Sequence, residues 1–169
     1  MKNTKTFLII VLISIISIFA IKASNAQTST LSVGVSPTSE KLTLKPGDEY
    51  PGEIVFWNLS STTTTYKVSV SGFRQAENMP GTAIVLTEEE NAKALYSASS
   101  WITLDKDEIE LVPNKNIKIK YTLKVPQDVT EGEYNVEIYL LSKGEDSENS
   151  GTYTSTVLGS GVPILIKIG

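Results

Sequence analysis

The sequence contains no cysteine and no histidine. A Ser–His–Asp triad, a Cys–His pair and a CxxC redox site are therefore excluded. Zinc, haem and iron–sulfur sites built on imidazole or thiolate are excluded with them. Without disulfides, stability rests on a packed core, and 169 residues are enough to form one. Basic residues are in deficit, 15 Lys and Arg against 19 Asp and Glu. An acidic chain of this kind is a poor nucleic-acid binder. Enzymatic work would fall to carboxylates, Lys, Tyr or Ser alone. No pair of acids stands out as one buried and one poised beside it, the arrangement glycoside hydrolysis needs. The chain is read as non-enzymatic, with no cofactor and no metal centre.

Long apolar runs are also lacking, with one exception. Lys2 and Lys5 precede an apolar stretch at residues 7–21, interrupted only by Ser14 and Ser17. A helix over that stretch reaches roughly 22 Å, short of a ~30 Å bilayer core. Ser24 and Ala26 then occupy the small-residue positions of a cleavage site. Residues 1–26 read as a hydrophobic signal helix, cut after Ala26, and residues 27–169 as a single exported domain at the cell surface or outside the cell. The alternative is an uncleaved N-terminal anchor, which would be the chain's only membrane contact.

What remains alternates with period two. Ile117, Ile119, Tyr121, Leu123 and Val125 share one parity; Lys118, Lys120, Thr122 and Lys124 share the other. In a strand these lie on opposite faces, one packed and one wet. The same pattern runs through Ile54 and Phe56, through Tyr66, Val68 and Val70, through Tyr134, Val136, Ile138 and Leu140, and through Val162, Ile164, Ile166 and Ile168. Shorter pieces hold Ile102 with Leu104 and Ile109 with Leu111. Turn-rich segments such as KPGDEYPG, NLSSTTT, ENMPG, VPNKN, VPQDVTEG and KGEDSENSG separate them. Strands at this spacing predict an antiparallel sandwich. The one helical candidate is residues 87–99, where Thr87 and Glu90 have capping-box spacing.

Several features carry chemistry. The row Lys118, Lys120 and Lys124 suits an anionic polymer, but a hairpin of residues 115–125 with 132–142 would set Glu137 beside Lys120 and Glu133 beside Lys124 as ordinary surface pairs. Asp105, Asp107 and Glu108 form a DxDE run without the spacing or glycine of a calcium loop. Glu145, Asp146 and Glu148 read as a solvated hairpin tip. Trp57, Tyr139 and Leu141 fall outside the core parity of their strands. With Val55 they are the candidate ligand contacts, an apolar patch unless residues 87–99 or the chain ends cover them. Trp101 reads as a packing anchor. Asn58–Leu59–Ser60 matches a glycosylation sequon. The last strand, VPILIKIG, would offer a pairing edge if it lies at the rim of a sheet.

The order of these pieces resembles a known family. The residues that carry the likeness are VSPTSEKLTLKPGDEYPGEIVFWNLSSTTTTYKVSV, SWITLDKDEIELVPNKNIKIKYTLKVPQDVTEGEYNVEIYL and GSGVPILIKI. They are similar to the N-terminal, immunoglobulin-like, peptidoglycan-binding domain of the WxL-interacting cell-surface proteins of Gram-positive bacteria, and to the wider group of pilus-chaperone-like sandwiches. The likeness spans residues 31–169 and rests on turn and core patterns. It implies an all-β, antiparallel immunoglobulin-like sandwich of seven to nine strands, and it implies wall binding. The likeness covers one sandwich domain of that family and not its second sandwich domain or membrane anchor.

The expected core is Ile54, Phe56, Val68, Val70, Trp101, Ile117, Ile119, Tyr121, Leu123, Tyr134, Val136, Ile138 and Ile164. The Tyr134 hydroxyl is expected to tie back to loop backbone. The expected function is a non-enzymatic surface module binding cell-wall peptidoglycan or a surface protein. The alternative is a chaperone-like assembly module that pairs an edge strand with a subunit.

Overall fold

The computed structural model describes residues 32–77, 83–142 and 160–169. The signal segment, the acidic tip with Glu145, Asp146 and Glu148, and most of ENMPG lie outside the described residues. Strands β1 (Val33–Ser36), β3 (Glu49–Asn58), β7 (Ile102–Leu104) and β9 (Asn116–Lys124) form a four-stranded antiparallel sheet in the order β1-β3-β9-β7. Strands β2 (Glu40–Leu44), β4 (Thr64–Ser71), β8 (Glu108–Leu111), β10 (Gly132–Ser142) and β11 (Gly161–Ile168) form the second sheet, ordered β2-β11-β10-β4-β8. Within it β2 runs parallel to β11, and the other pairs are antiparallel. A two-stranded ribbon of β5 (Phe73–Gln75) and β6 (Ala83–Val85) leads to the short helix α1 (Glu88–Lys93) and a 3₁₀ turn at Ser99–Trp101.

The two sheets close on one apolar cluster, as the alternation requires. Ile54, Phe56, Val68, Trp101, Ile119, Tyr121, Leu123, Tyr134, Val136, Ile138 and Ile164 are buried in it, as expected from parity; Val70 and Ile117 are partly buried at its margin. The architecture is the expected all-β immunoglobulin-like sandwich.

Two tyrosines make specific ties, one from a sheet to its loop and one between the sheets. The Tyr134 hydroxyl donates to the Thr130 carbonyl at 3.1 Å and lies 3.0 Å from Thr130 Oγ1. This is the backbone tie expected of it, in the manner of a tyrosine corner. The Tyr134 ring packs 4.7 Å, centroid to centroid, from Trp101, which is the anchor its position predicts. Tyr121 lies directly over Gly52, where any Cβ would overlap the ring. From there its hydroxyl crosses to the other sheet and donates to Glu40 Oε2 at 2.6 Å.

One pairing differs from expectation. β9 and β10 do not form a hairpin. They belong to different sheets, and residues 125–131 arch between them. The reason lies in burial: each strand has a full apolar face, and placing them in opposite sheets lets those faces meet across the core. Consequently Glu137 stands opposite Pro163 and Ser71, and Glu133 opposite Lys167. The lysine row meets β3 instead, with Lys120 opposite Glu53, Lys124 opposite Glu49, and Lys118 Nζ 2.8 Å from Glu53.

The condition for a pairing edge at the last strand is not met. β11 is an inner strand, covered by β2 along Ile164–Ile168. The rims of the two main sheets are β1, β7, β2 and β8.

Candidate binding surface

The alternation that buries Ile54 and Phe56 turns Trp57 to the outer face of the four-stranded sheet. The same rule turns Tyr139 and Leu141 to the outer face of the five-stranded sheet. The three candidate residues therefore do not form one patch; the core separates them. Trp57 is half-buried, with Gly34 and Asn116 as its cross-strand neighbours. Tyr139 and Leu141, also half-buried, stay together.

They line a groove of about 470 Å³. Its floor is the outer face of β4 and β10, where Leu141 stands opposite Lys67 and Tyr139 opposite Ser69. Its wall is the segment 85–88, which belongs to the excursion between β4 and β7. Coverage by residues 87–99 is the alternative to an open patch, and the outcome lies between: the excursion walls the two side chains on one side without closing over them.

Local hydrogen bonds hold that wall. The Ser71 hydroxyl donates to the Leu86 carbonyl at 3.0 Å, and Leu86 N donates to the Gly72 carbonyl at 2.9 Å. Asn91 Oδ1 accepts from Gly72 N at 2.8 Å and from Ser97 Oγ at 2.6 Å, while Asn91 Nδ2 donates to Ser99 Oγ at 2.8 Å. A Cβ on Gly72 would lie 2.7 Å from Ser97 Oγ, so this junction needs glycine for space. Helix α1 begins with the predicted capping box: Thr87 Oγ1 accepts from Glu90 N, and Thr87 N donates to Glu90 Oε2 at 2.9 Å. The backbone bond from Thr87 N, and a second from Thr87 Oγ1 to Glu90 Oε2 at 3.0 Å, hold the Glu90 carboxyl below its ordinary pKa.

The electrostatics of the groove are uneven. Lys67, at one end, has Glu108 opposite it across the β4–β8 pair. Toward the other end, burial pushes the Tyr139 hydroxyl pKa up, and the negative charges of Glu137 and Glu88 push it further. Glu137 lies under Tyr139 on the β11 side, with its carboxyl packed over Gly161, where any side chain would collide with it. Its Oε2 is buried without a hydrogen-bond partner among the described residues, and burial raises its pKa.

Other candidates take structural roles. Asn58 of the sequon is buried. Its Nδ2 donates to the Thr62 and Leu111 carbonyls, each at 2.7 Å, and its Oδ1 accepts from Ser60 N and Ser60 Oγ. An amide committed in this way is a loop clamp and not a glycan acceptor. Asp105 Oδ1 accepts from Lys120 N at 2.9 Å, and Asp107 supplies its carbonyl to Val68 N. Among the described residues no three acidic side chains gather as a metal cluster would require.

Sequence alone does not mark Glu88 and Ser69 as groove residues. Parity gives the outward side of β10, but only the β4–β10 register shows which residues share that side.

These features define an immunoglobulin-like β-sandwich with a walled groove on one outer face. Among solved structures the chain is similar to a family 123 glycoside hydrolase from Clostridium perfringens, with 14% identity, 82% of this chain and 27% of that chain covered, and a TM-score of 0.51. It is also similar to the E. coli chaperone DraB, with 7% identity, 82% and 56% coverage and a TM-score of 0.48. A structure of the Salmonella enterica SafA pilin in complex with the SafB chaperone matches with 10% identity, 83% and 56% coverage and a TM-score of 0.48. The chain thus spans about a quarter of the hydrolase and just over half of the other two. At these identities the likeness is one of fold. No protein-family model and no curated protein matches the chain.

Proposed function

We propose that residues 27–169 are a non-enzymatic binding module of an exported protein, and that the module holds an extended segment of a partner protein in the groove beside Tyr139 and Leu141. The observation that carries this reading is the shape of the groove. Its floor follows β4 from Lys67 to Ser71, a run of ~13 Å at ~3.3 Å per residue. A slot of that length between a sheet and a fixed wall suits about four residues of extended chain. Residues 1–26 act in this proposal as the export signal. Trp57, on the far face, is outside this groove and is left as a separate surface contact.

A second reading is the assembly module that pairs a rim strand with a subunit. It is favoured by β2, a five-residue strand whose one partner in the sheet is β11. Peptidoglycan, which the likeness to WxL-interacting proteins implies, is the competing ligand. The test is an NMR titration of the ¹⁵N-labelled chain with a pool of unstructured peptides and, separately, with soluble peptidoglycan fragments. Peptide-induced shifts at residues 67–71, 85–88 and 139–141 are expected, and Tyr139→Ala with Leu141→Ala should remove them. Shifts confined to residues 40–44 would move the reading to rim-strand pairing. Shifts with peptidoglycan alone would overturn it in favour of a wall-glycan module.

A further inference from the structure

Taken as a site for an extended protein segment, the reading on which this inference rests, the groove has a charge pattern that specifies its partner further. We propose that the groove selects a segment carrying a basic residue, whose cationic head lies on the Tyr139 ring beside Glu88, with Glu137 buried next to the ring on the β11 side.

Three observations converge on this. The cation already in the groove, Lys67, stands at the Leu141 end with Glu108 across from it, so it does not answer the acids at the other end. Of the three acids opening helix α1, Glu89 pairs with Lys93 at 2.6 Å and Glu90 is engaged by Thr87, while Glu88 faces the groove with no ion pair among the described residues. Behind Tyr139, Glu137 keeps a buried oxygen without a hydrogen-bond partner among the described residues. The tyrosine ring beside Glu88 is a surface for an ammonium or guanidinium group, attracted by the ring face and by the Glu88 charge, with the unsatisfied Glu137 oxygen buried alongside. The apolar stem of a lysine or arginine would run toward Leu141 along the floor. The acidic balance of the whole chain, a net charge of −4, favours approach of a basic partner and disfavours an acidic one.

The same pattern gives the segment a direction. An acidic or polar residue placed two positions from the basic one would meet Lys67, and reversal would bring like charges together at both ends.

The test uses three synthetic peptides of one extended sequence, Thr-Val-Xaa-Val-Thr, with lysine, leucine or glutamate at the centre. Each is titrated into the ¹⁵N-labelled chain at low salt, with the amides of Ser69 and Tyr139 as reporters. The lysine peptide should bind about tenfold more tightly than the leucine peptide, and the glutamate peptide more weakly than either. Glu88→Gln combined with Glu137→Gln should reduce the lysine peptide to the level of the leucine peptide. Equal binding of the lysine and leucine peptides overturns the basic-residue inference and leaves the extended-segment groove standing. No shift with any of the three, under conditions where peptidoglycan fragments do shift the spectrum, overturns both.

Discussion

Asn58 and Glu137 show opposite solutions to burying a polar side chain. Asn58 makes four hydrogen bonds with its amide, and it joins the end of β3 to the Leu111 carbonyl of β8 in the other sheet. Asn58→Ala should therefore destabilise the fold by about 2–3 kcal/mol, since buried partners are left unsatisfied; urea unfolding measures it. Glu137 has a buried oxygen without a described partner, and its folded pKa is raised by burial. For a carboxyl raised in the folded state, the stabilising contribution is complete below the unfolded value and is lost as pH rises through the folded one. Glu137→Gln should thus raise the melting temperature at pH 7 by a few degrees, and the gain over wild type should vanish at pH 4. A gain that persists at acid pH would mean packing and not ionisation. Glu90 titrates in the opposite sense, its carboxyl being lowered by Thr87, so the difference between variant and wild type is the quantity to read.

At the scale of elements, helix α1 buries none of its residues. It is held by its cap and by Asn91, not by packing. Thr87→Ala removes the cap and should cost about 1 kcal/mol locally. Hydrogen exchange should rise across residues 88–93 while the melting temperature of the sandwich barely moves. Loss of protection throughout β4 and β10 would show instead that the excursion is part of the main cooperative unit. The strands themselves were legible because alternation over β9, β10 and β11 is nearly unbroken; the start of the helix was legible from the capping-box spacing of Thr87 and Glu90, but it stops at Lys93 and not at residue 99. Partnership between strands was not legible. Lys120, Lys124, Glu133 and Glu137 fit a β9–β10 hairpin by charge alone, and surface charge pairs are too weak to set a register. Burial of two apolar faces decides it, and that requires knowing which strands face each other. The groove was half legible for the same reason: Tyr139 and Leu141 follow from parity, whereas Glu88 reaches them only through the fold of the excursion.

For the molecule as a whole, the tyrosines predict an alkaline limit. Tyr66, Tyr121 and Tyr139 all have hydroxyl pKa values raised from 10.0, with burial the largest cause in each. Their contribution is complete below the unfolded value near 10 and falls as pH rises toward the folded ones. Stability should decline steeply above about pH 10, in a chain without cysteine to confuse the titration. Tyr121→Phe should lose the Glu40 bond, about 1 kcal/mol at neutral pH, and flatten part of that alkaline decline; stability measured at pH 7 and pH 11 gives both numbers. Gly52→Ala reaches the same contact from the other strand. By displacing the Tyr121 ring it should destabilise more than Tyr121→Phe does, by about 2 kcal/mol or more.

The seam between β2 and β11 has a consequence for how the molecule comes into being. β2 is made early and has one neighbour in its sheet, a strand made more than a hundred residues later. Until that strand emerges from the ribosome, β2 has no ladder to join and the five-stranded sheet cannot close. Completion of that sheet is therefore late, and the same stitch that makes it late joins the two ends of the described fold.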